Sequence, residues 1–125
     1  MLTLSILHEE FAICRLNADS PVPSWAFAGS LSSITRTADE LSIVCAQKQA
    51  PEQTRCDRDW RCLKVHGPLD FSLTGVMLAL VKPLAEARIS IFAFSTFDTD
   101  YLMVKESNLE KAIRALTDAG HEIRR

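Results

Sequence analysis

The chain has 125 residues, of which 47% are apolar and 24% are charged, and its formal net charge is −2. This composition is typical of a globular protein with one ordinary domain or two very small ones, and it excludes a disordered or fibrous protein. The small net charge offers no broad basic surface, so we expect neither nucleic acid nor a membrane as a partner.

The first 59 residues are predicted to form a reduced N-terminal unit. TLSIL, at residues 3–7, has the character of a strand. It is additional to the strands of the unit itself, so we expect it to pair at the edge that this unit lacks. FAICRL, Phe11–Leu16, serves as the first strand proper. The segment SITRTADELSIV, Ser33–Val44, has the pattern of a strand, a polar turn and a second strand.

Prolines limit the helices of this first unit. In PVPSWAFAG, Pro21 and Pro23 allow at most one helical turn, because proline lacks the N–H that a helix interior uses. Residues 49–59 contain Pro51 and are predicted to be a clipped second helix or a loop. We therefore expect the first unit to have shortened helices.

The second unit, residues 60–125, begins with the predicted strand WRCLKV, Trp60–Val65, which the sequence HGP ends. A helix follows, since apolar residues recur at offsets of 0, 3, 4, 7, 8 and 11. These positions are Leu73, Val76, Met77, Leu80, Val81 and Leu84. Pro83 removes one hydrogen bond, so we expect a bend between Ala79 and Pro83 and a helix end near Ala87.

Two strands are predicted next, at Arg88–Ser95 and Asp100–Lys105, with the polar stretch STFDTD between them. Ser107 and Glu110 have the spacing of a capping box at the start of a second helix, and Gly120 closes that helix. The last strand is HEIR. The order strand, helix, strand, strand, helix, strand is that of a ferredoxin-like unit.

An internal repeat relates the two halves. A shift of 60 residues lays Ser33–Val44 on Ala93–Val104, with Thr35 on Ser95 and a polar turn between strands in both copies. The predicted fold is therefore α+β, with two ferredoxin-like βαββαβ units at residues 1–59 and 60–125.

Targeting signals and reactive clusters are absent from the sequence. The start MLTLSILHEE has neither a basic stretch nor a cleavage site, and no apolar run approaches the length of a membrane span, so we expect a cytoplasmic protein. The four cysteines lack CxxC and zinc-ligand spacing and are interpreted as reduced thiols, with Cys14 and Cys45 in the core. A bridge between Cys56 and Cys62 is the alternative. We predict no metal and no cofactor.

The segments SSITRTADELSIVC and HGPLDFSLTGVMLALVKPLAEARISIFAFSTFDTDYLMV, with the capped last helix, resemble the tandem ACT-domain family. That family includes small bacterial two-ACT proteins and the regulatory regions of aspartokinases and of animal arginine sensors. The resemblance implies a non-catalytic regulatory protein, a homodimer, that binds an amino acid or another small metabolite. It also implies that paired ACT units associate side by side.

The resemblance implies a ligand site formed by the loop from the first strand to the first helix and by the turn after the second strand. In this sequence these segments are Asp70–Val76 and Ser95–Asp100. The candidate residues are Asp70, Ser72, Thr74, Gly75, Val76, Ser95, Thr96, Phe97, Asp98 and Asp100, with Thr35 as the counterpart in the first unit.

The chemistry of these residues suits a zwitterion. LTGV opens a helix whose first amides have no helical acceptor, so this end attracts a carboxylate, and Gly75 allows close approach. Asp98 and Asp100 supply acceptors for an ammonium group. The alternative for STFDTD is a plain turn, because Asp and Thr side chains commonly bond their own backbone there.

Three other functions remain open from the sequence. The chain could be a structural or regulatory partner that keeps an ACT interface and binds no ligand. An enzyme with a cysteine nucleophile and His66 or His121 as its base is conceivable, although no spacing singles out a pair. RNA binding by a ferredoxin-like sheet is disfavoured, because the K/R-G-F/Y-G/A-F signature is missing.

Overall fold

The computed structural model of the chain describes residues 1–69 and 74–125, and within them the chain has an α+β fold, as predicted. The strands are β1 (Thr3–Leu16), β2 (Ser33–Arg36), β3 (Leu41–Ala46), β4 (Cys56–Val65), β5 (Phe92–Ser95), β6 (Asp100–Lys105) and β7 (Glu122–Arg124). The helices are α1 (Val76–Glu86) and α2 (Leu109–Asp118), and short 3-10 turns lie at Ser24–Phe27, Gln47–Gln49 and Glu106–Asn108.

The chain divides into two compact units. Residues 1–8 and 61–125 make the C-terminal unit, and residues 9–60 make the N-terminal unit. Strands β1 and β4 contribute residues to both. The division into domains at residues 59 and 60 stays a prediction.

In the C-terminal unit the strand order is β7, β1, β4, β6, β5. The elements from β4 to β7 follow the predicted order of strand, helix, strand, strand, helix, strand. Residues 3–5 of β1 pair in parallel with β7, so the expectation that TLSIL completes the N-terminal unit is wrong. Leu4 and Ile6 alternate with partly exposed neighbours along β1, which turns them towards the core beneath the helices.

Helix α1 buries the apolar stripe that its sequence predicts. Leu80 and Leu84 are fully buried, and the helix ends at Glu86, close to the predicted end. The predicted first position, Leu73, lies outside the described residues. Pro83 lies inside the helix, so the carbonyl of Ala79, four residues earlier, has no N–H to accept from it.

Helix α2 begins differently from the prediction. Its N-cap is Asn108, which makes no side-chain capping bond, and a 3-10 turn precedes it. The predicted capping box of Ser107 and Glu110 is therefore wrong, because the Glu110 carboxylate instead accepts from Arg125 at 2.6 Å. Gly120 follows the helix end with a φ of 97°, as a C-terminal glycine should.

The N-terminal unit is built from strands in the order β2, β3, β1, β4. Strands β1 and β3 pair antiparallel from Phe11 with Ala46 to Leu16 with Leu41. The 3-10 turn at Ser24–Phe27 lies where a shortened first helix was expected. The turn at Gln47–Gln49 comes before most of the predicted segment 49–59, and residues 56–59 of that segment belong to β4, so that prediction is wrong for its last four residues. A core cluster of this unit consists of Ala12, Cys14, Ala26, Leu41, Ile43, Cys45 and Ala50, and Phe11, Val44 and Trp60 are also buried.

The cysteines depart from the prediction. Cys14 on β1 and Cys56 on β4 form a disulfide with their Cα atoms 4.1 Å apart, so both the reduced state of this pair and the alternative bridge to Cys62 are wrong. Cys45 and Cys62 are free and buried. Burial raises the pKa of the Cys62 thiol to about 12. The predicted core positions of Cys14 and Cys45 are confirmed.

Candidate functional site

The stretch STFDTD forms a tight turn between β5 and β6. Ser95 and Asp100 are paired across the two strands, and the Ser95 hydroxyl donates to the Asp100 carboxylate at 2.6 Å. Inside them, the Thr96 N–H donates to the carbonyl of Thr99 at 2.8 Å, and the Thr99 N–H donates to the Thr96 hydroxyl at 3.3 Å. The hydroxyls of Ser95 and Thr96 and one oxygen of Asp100 are thus used within the hairpin.

The N-terminal unit contains the same turn. The Thr37 N–H donates to the carbonyl of Glu40 at 2.9 Å, and the Glu40 N–H donates to the Thr37 hydroxyl at 3.2 Å. Thr37 therefore corresponds to Thr96 in the repeat, at an offset of 59 residues instead of the predicted 60. The counterpart of Ser95 is then Arg36, and the predicted equivalence of Thr35 with Ser95 is wrong by one residue.

The β5–β6 turn is fastened to the loop that follows β4. The Leu69 N–H donates to the Asp98 carbonyl at 2.6 Å, and the buried Thr99 hydroxyl donates to the Val65 carbonyl at 2.7 Å. A Cβ added to Gly67 would lie 3.0 Å from the Asp98 carbonyl oxygen, so glycine permits this close approach. The loop after β4 therefore contacts the turn at Gly67 and Leu69, just before the predicted segment Asp70–Val76. That Asp70–Val76 and the turn form one site stays a prediction.

The start of α1 forms the other end of this loop. Gly75 occupies the N-cap with a φ of 76°, a conformation that other residues adopt at a cost, and no side chain caps the helix. Thr74 is exposed and Val76 is half-buried. The first amides of an α-helix have no acceptor within the helix itself. Asp70 and Ser72 lie outside the described residues.

The exposed tip of the turn consists of Phe97 and Asp98. The Phe97 side chain is 80% exposed, and Asp98 is also exposed. A planar apolar ring and a carboxylate at the same tip offer contacts for a ligand that is partly apolar and positively charged. Thr35 is exposed on β2 of the N-terminal unit, opposite Ser42.

The sequence reasoning missed two residues that hold the site together. Thr99 is buried at 4% exposure and bonds to the end of β4, and Gly67 allows the backbone of the turn to approach. The sequence HGP signalled a strand end, but it could not indicate which segment packs against it. A threonine inside a polar turn carries no local sign that it is buried.

Clefts formed by the described residues open on the C-terminal unit, and two of them have charged side chains in their lining. One has a volume of about 540 Å³, lies beside α1 and includes Gly75, Leu78, Lys82 and His121 in its lining. The other has about 260 Å³ and is lined in part by the ion pairs Arg61–Glu106 and Arg125–Glu110. Among residues 1–69 and 74–125, no three His, Cys, Asp or Glu side chains are grouped to hold a metal ion.

A family model for the ACT domain matches residues 55–118, about half of the chain, so this protein belongs to the ACT domain family. A second family model, described as an N-terminal domain, matches residues 9–53. None of the helices that the structure describes is long and apolar enough to cross a lipid bilayer.

Known proteins resemble the chain to different extents. The crystal structure of protein Atu0741 from Agrobacterium tumefaciens is 44% identical, with a TM-score of 0.93, and the alignment covers 98% of this chain and 91% of that one. The human cytosolic arginine sensor for mTORC1 subunit 1 is 36% identical over 58 residues, which is 46% of this chain. The match spans only 18% of the length of that curated relative.

A third likeness concerns the fold alone. The ligand-free regulatory subunit of aspartate kinase from Thermus thermophilus is 12% identical, with a TM-score of 0.66. The alignment covers 94% of this chain and 96% of that one. The arrangement of strands and helices is therefore shared with a regulatory subunit of similar size.

Proposed function

We propose that the protein is a non-catalytic regulatory protein that binds a small molecule, an amino acid, in its C-terminal unit. Membership of the ACT domain family supports a regulatory function. The name of the human relative, a cytosolic arginine sensor, supports an amino acid as the ligand and the cytoplasm as the location. The observation that supports the position of this site is the 2.6 Å hydrogen bond from the Leu69 N–H to the Asp98 carbonyl.

In this proposal the ligand lies between the loop after β4 and the tip of the β5–β6 turn. The first amides of α1, next to Gly75, donate hydrogen bonds to the ligand carboxylate. Asp98 accepts hydrogen bonds from the ligand ammonium group, and Phe97 covers its side chain. One Asp100 oxygen accepts the hydrogen bond from Ser95 and so stabilises the turn. In this proposal the other oxygen binds the ligand.

We further propose that the N-terminal unit is a degenerate ACT-like unit and that the protein acts as a homodimer through ACT–ACT association. Two observations support the repeat. The N-terminal unit follows the order strand, turn, strand, strand, turn, strand, and it contains the same Thr-closed hairpin turn, at Thr37 instead of Thr96. The strength of this association would then depend on the concentration of the ligand.

Thermal unfolding in the presence of each amino acid tests the proposal. A ligand at 100 times its dissociation constant stabilises the folded protein by about 2.7 kcal/mol, which raises the melting temperature by several degrees. We expect a shift with one amino acid or a small group of related ones. If no amino acid shifts the transition, amino-acid binding is contradicted.

The structure also favours a second candidate, an ACT partner protein that binds no ligand. Ser95 bonds to Asp100, and the Thr96 hydroxyl bonds to the backbone of Thr99, so these contacts within the turn form without a ligand. This candidate predicts an oligomeric mass, measured by light scattering, that is the same with and without amino acids. It also predicts that no amino acid shifts the melting temperature.

A further inference from the structure

The disulfide between Cys14 and Cys56 lies within the N-terminal unit and closes a loop with a sequence separation of 42 residues. The structure describes every residue of this unit, 9–60, and none of them lies in an α-helix. A unit of this size buries a smaller fraction of its surface on folding than a larger domain does, so its apolar core leaves little stability in reserve. The covalent link between β1 and β4 is therefore a large part of what can hold the unit together.

The two sulfur atoms differ in access. Cys14 is 1% exposed, whereas Cys56 is the first residue of β4, directly after a loop, and is half-buried. An external thiolate can therefore approach the Sγ atom of Cys56 more easily than that of Cys14. The remaining thiols, Cys45 and Cys62, are fully buried, and burial raises the pKa of both, so neither competes in this exchange.

We propose that the Cys14–Cys56 disulfide is a reversible redox switch that controls the order of the N-terminal unit. The reductant is a dithiol. One of its thiolates attacks Sγ of Cys56, the S–S bond breaks, and Cys14 leaves as a thiolate that takes up a proton. The second thiol of the reductant, as its thiolate, then attacks the mixed disulfide and releases Cys56, so the dithiol becomes a disulfide as the protein gains two electrons and two protons.

Reduction leaves the backbone pairing beside the link in place but removes the crosslink. The Arg15 N–H donates to the Arg55 carbonyl at 2.9 Å, next to the two cysteines, and after reduction only non-covalent contacts, this bond among them, connect β1 to the start of β4. The chain entropy of a loop of this length corresponds to a change of roughly 10²- to 10³-fold in the opening equilibrium of the unit. Residues 76–118 contain α1, β5, β6 and α2, belong to the C-terminal unit with its separate core cluster, and are not enclosed by the loop.

Hydrogen exchange of the full chain, followed by mass spectrometry, tests this switch. The protein is compared after equilibration with oxidised glutathione and with dithiothreitol, and the disulfide is counted by alkylation. We expect amides of residues 9–60 to exchange about 10²- to 10³-fold faster after reduction, and amides of residues 76–118 to change little. Returning the protein to oxidised glutathione should restore slow exchange.

Two variants sharpen the result. Cys56→Ser should behave like the reduced protein in both buffers, and Cys62→Ala, which keeps the disulfide, should respond like the wild type. The proposal is overturned if the cysteines remain thiols in oxidised glutathione, if both redox forms exchange equally, or if both units lose protection together. This inference is independent of the proposed ligand site, which lies in the C-terminal unit.

Discussion

His121 replaces the hydrogen-bond donor that Pro83 withholds from the carbonyl of Ala79. The Nε2 atom of His121 lies 3.2 Å from the Ala79 oxygen, and the Leu2 N–H donates to Nδ1 of the same ring at 3.1 Å. Because Nδ1 is an acceptor, the neutral ring carries its proton on Nε2 and donates it to Ala79. One buried side chain, directly before β7, thus connects the residue before β1 to helix α1.

This relationship predicts that the effect of replacing His121 depends on Pro83. His121→Ala should lower the free energy of unfolding by about 1–3 kcal/mol, since it leaves the Ala79 carbonyl and the Leu2 N–H without partners. In a Pro83→Ala background the loss should be smaller by roughly 1 kcal/mol, because residue 83 then supplies a helical N–H. Urea unfolding of the four proteins measures this coupling. Equal losses in both backgrounds would rule it out, and exposed His8→Ala serves as a neutral control.

Asp98 is predicted to contribute to ligand binding, whereas its counterpart in the N-terminal turn, Asp39, is not. A charge-assisted hydrogen bond contributes about 1.5–3 kcal/mol, so Asp98→Ala should weaken binding of the amino acid identified by melting roughly 10- to 150-fold. Asp39→Ala alters the same position of the same turn and should leave the affinity unchanged. Calorimetric titration compares the two. Equal effects of the two substitutions would show that Asp98 makes no special contact.

Thr99 is predicted to stabilise the junction between the β5–β6 turn and the end of β4. Thr99→Val leaves the buried Val65 carbonyl without its donor and should cost about 1–3 kcal/mol of unfolding free energy. Thr99→Ser keeps the hydroxyl and should cost clearly less. Chemical denaturation measures both. If Ser and Val are equally harmful, the packing of the methyl group matters and the hydrogen bond does not.

The stability of the N-terminal unit should respond to acid through Glu9. The hydroxyl and then the N–H of Ser30 donate to this carboxylate and lower its pKa below the usual value of 4.5. A lowered pKa in the folded state adds stability above the unfolded pKa, and this stability is lost as the pH falls through the folded value. Ser30→Ala should therefore reduce stability at pH 7, by less than about 1 kcal/mol because the carboxylate is accessible to solvent.

The corresponding measurement is unfolding of wild type and Ser30→Ala at a series of pH values. The two curves should converge on acidification well below pH 4.5, where Glu9 is protonated in both proteins. A difference in stability that is the same at all pH values would contradict the assigned bond.

The sequence predicted the elements whose patterns are local. Strand β6 is observed over the predicted range Asp100–Lys105, and the buried stripe of α1 ends close to the predicted residue. Pro21 and Pro23 correctly indicated that the N-terminal unit has no full first helix. In each case the residues that decide the structure lie within one or two turns of each other.

The features that the sequence could not reveal depend on residues far apart in the chain. Glu110 was expected to cap its own helix but pairs with Arg125. Cys14 forms a disulfide with Cys56, 42 residues away. For the candidate site, the turn and the loop were recognised separately. Their contact through Leu69 and Asp98 depends on the pairing of β4 with β6, which no local pattern encodes.

The central claim is that a small molecule binds between the loop after β4 and the β5–β6 turn. Titration of isotope-labelled protein with the stabilising amino acid, followed by backbone amide chemical shifts, tests this claim most directly. We predict that the largest shifts occur at residues 69–76 and 95–100 and that they saturate with a single dissociation constant. Saturable shifts confined to other parts of the chain, or no saturable shifts at all, would contradict the claim.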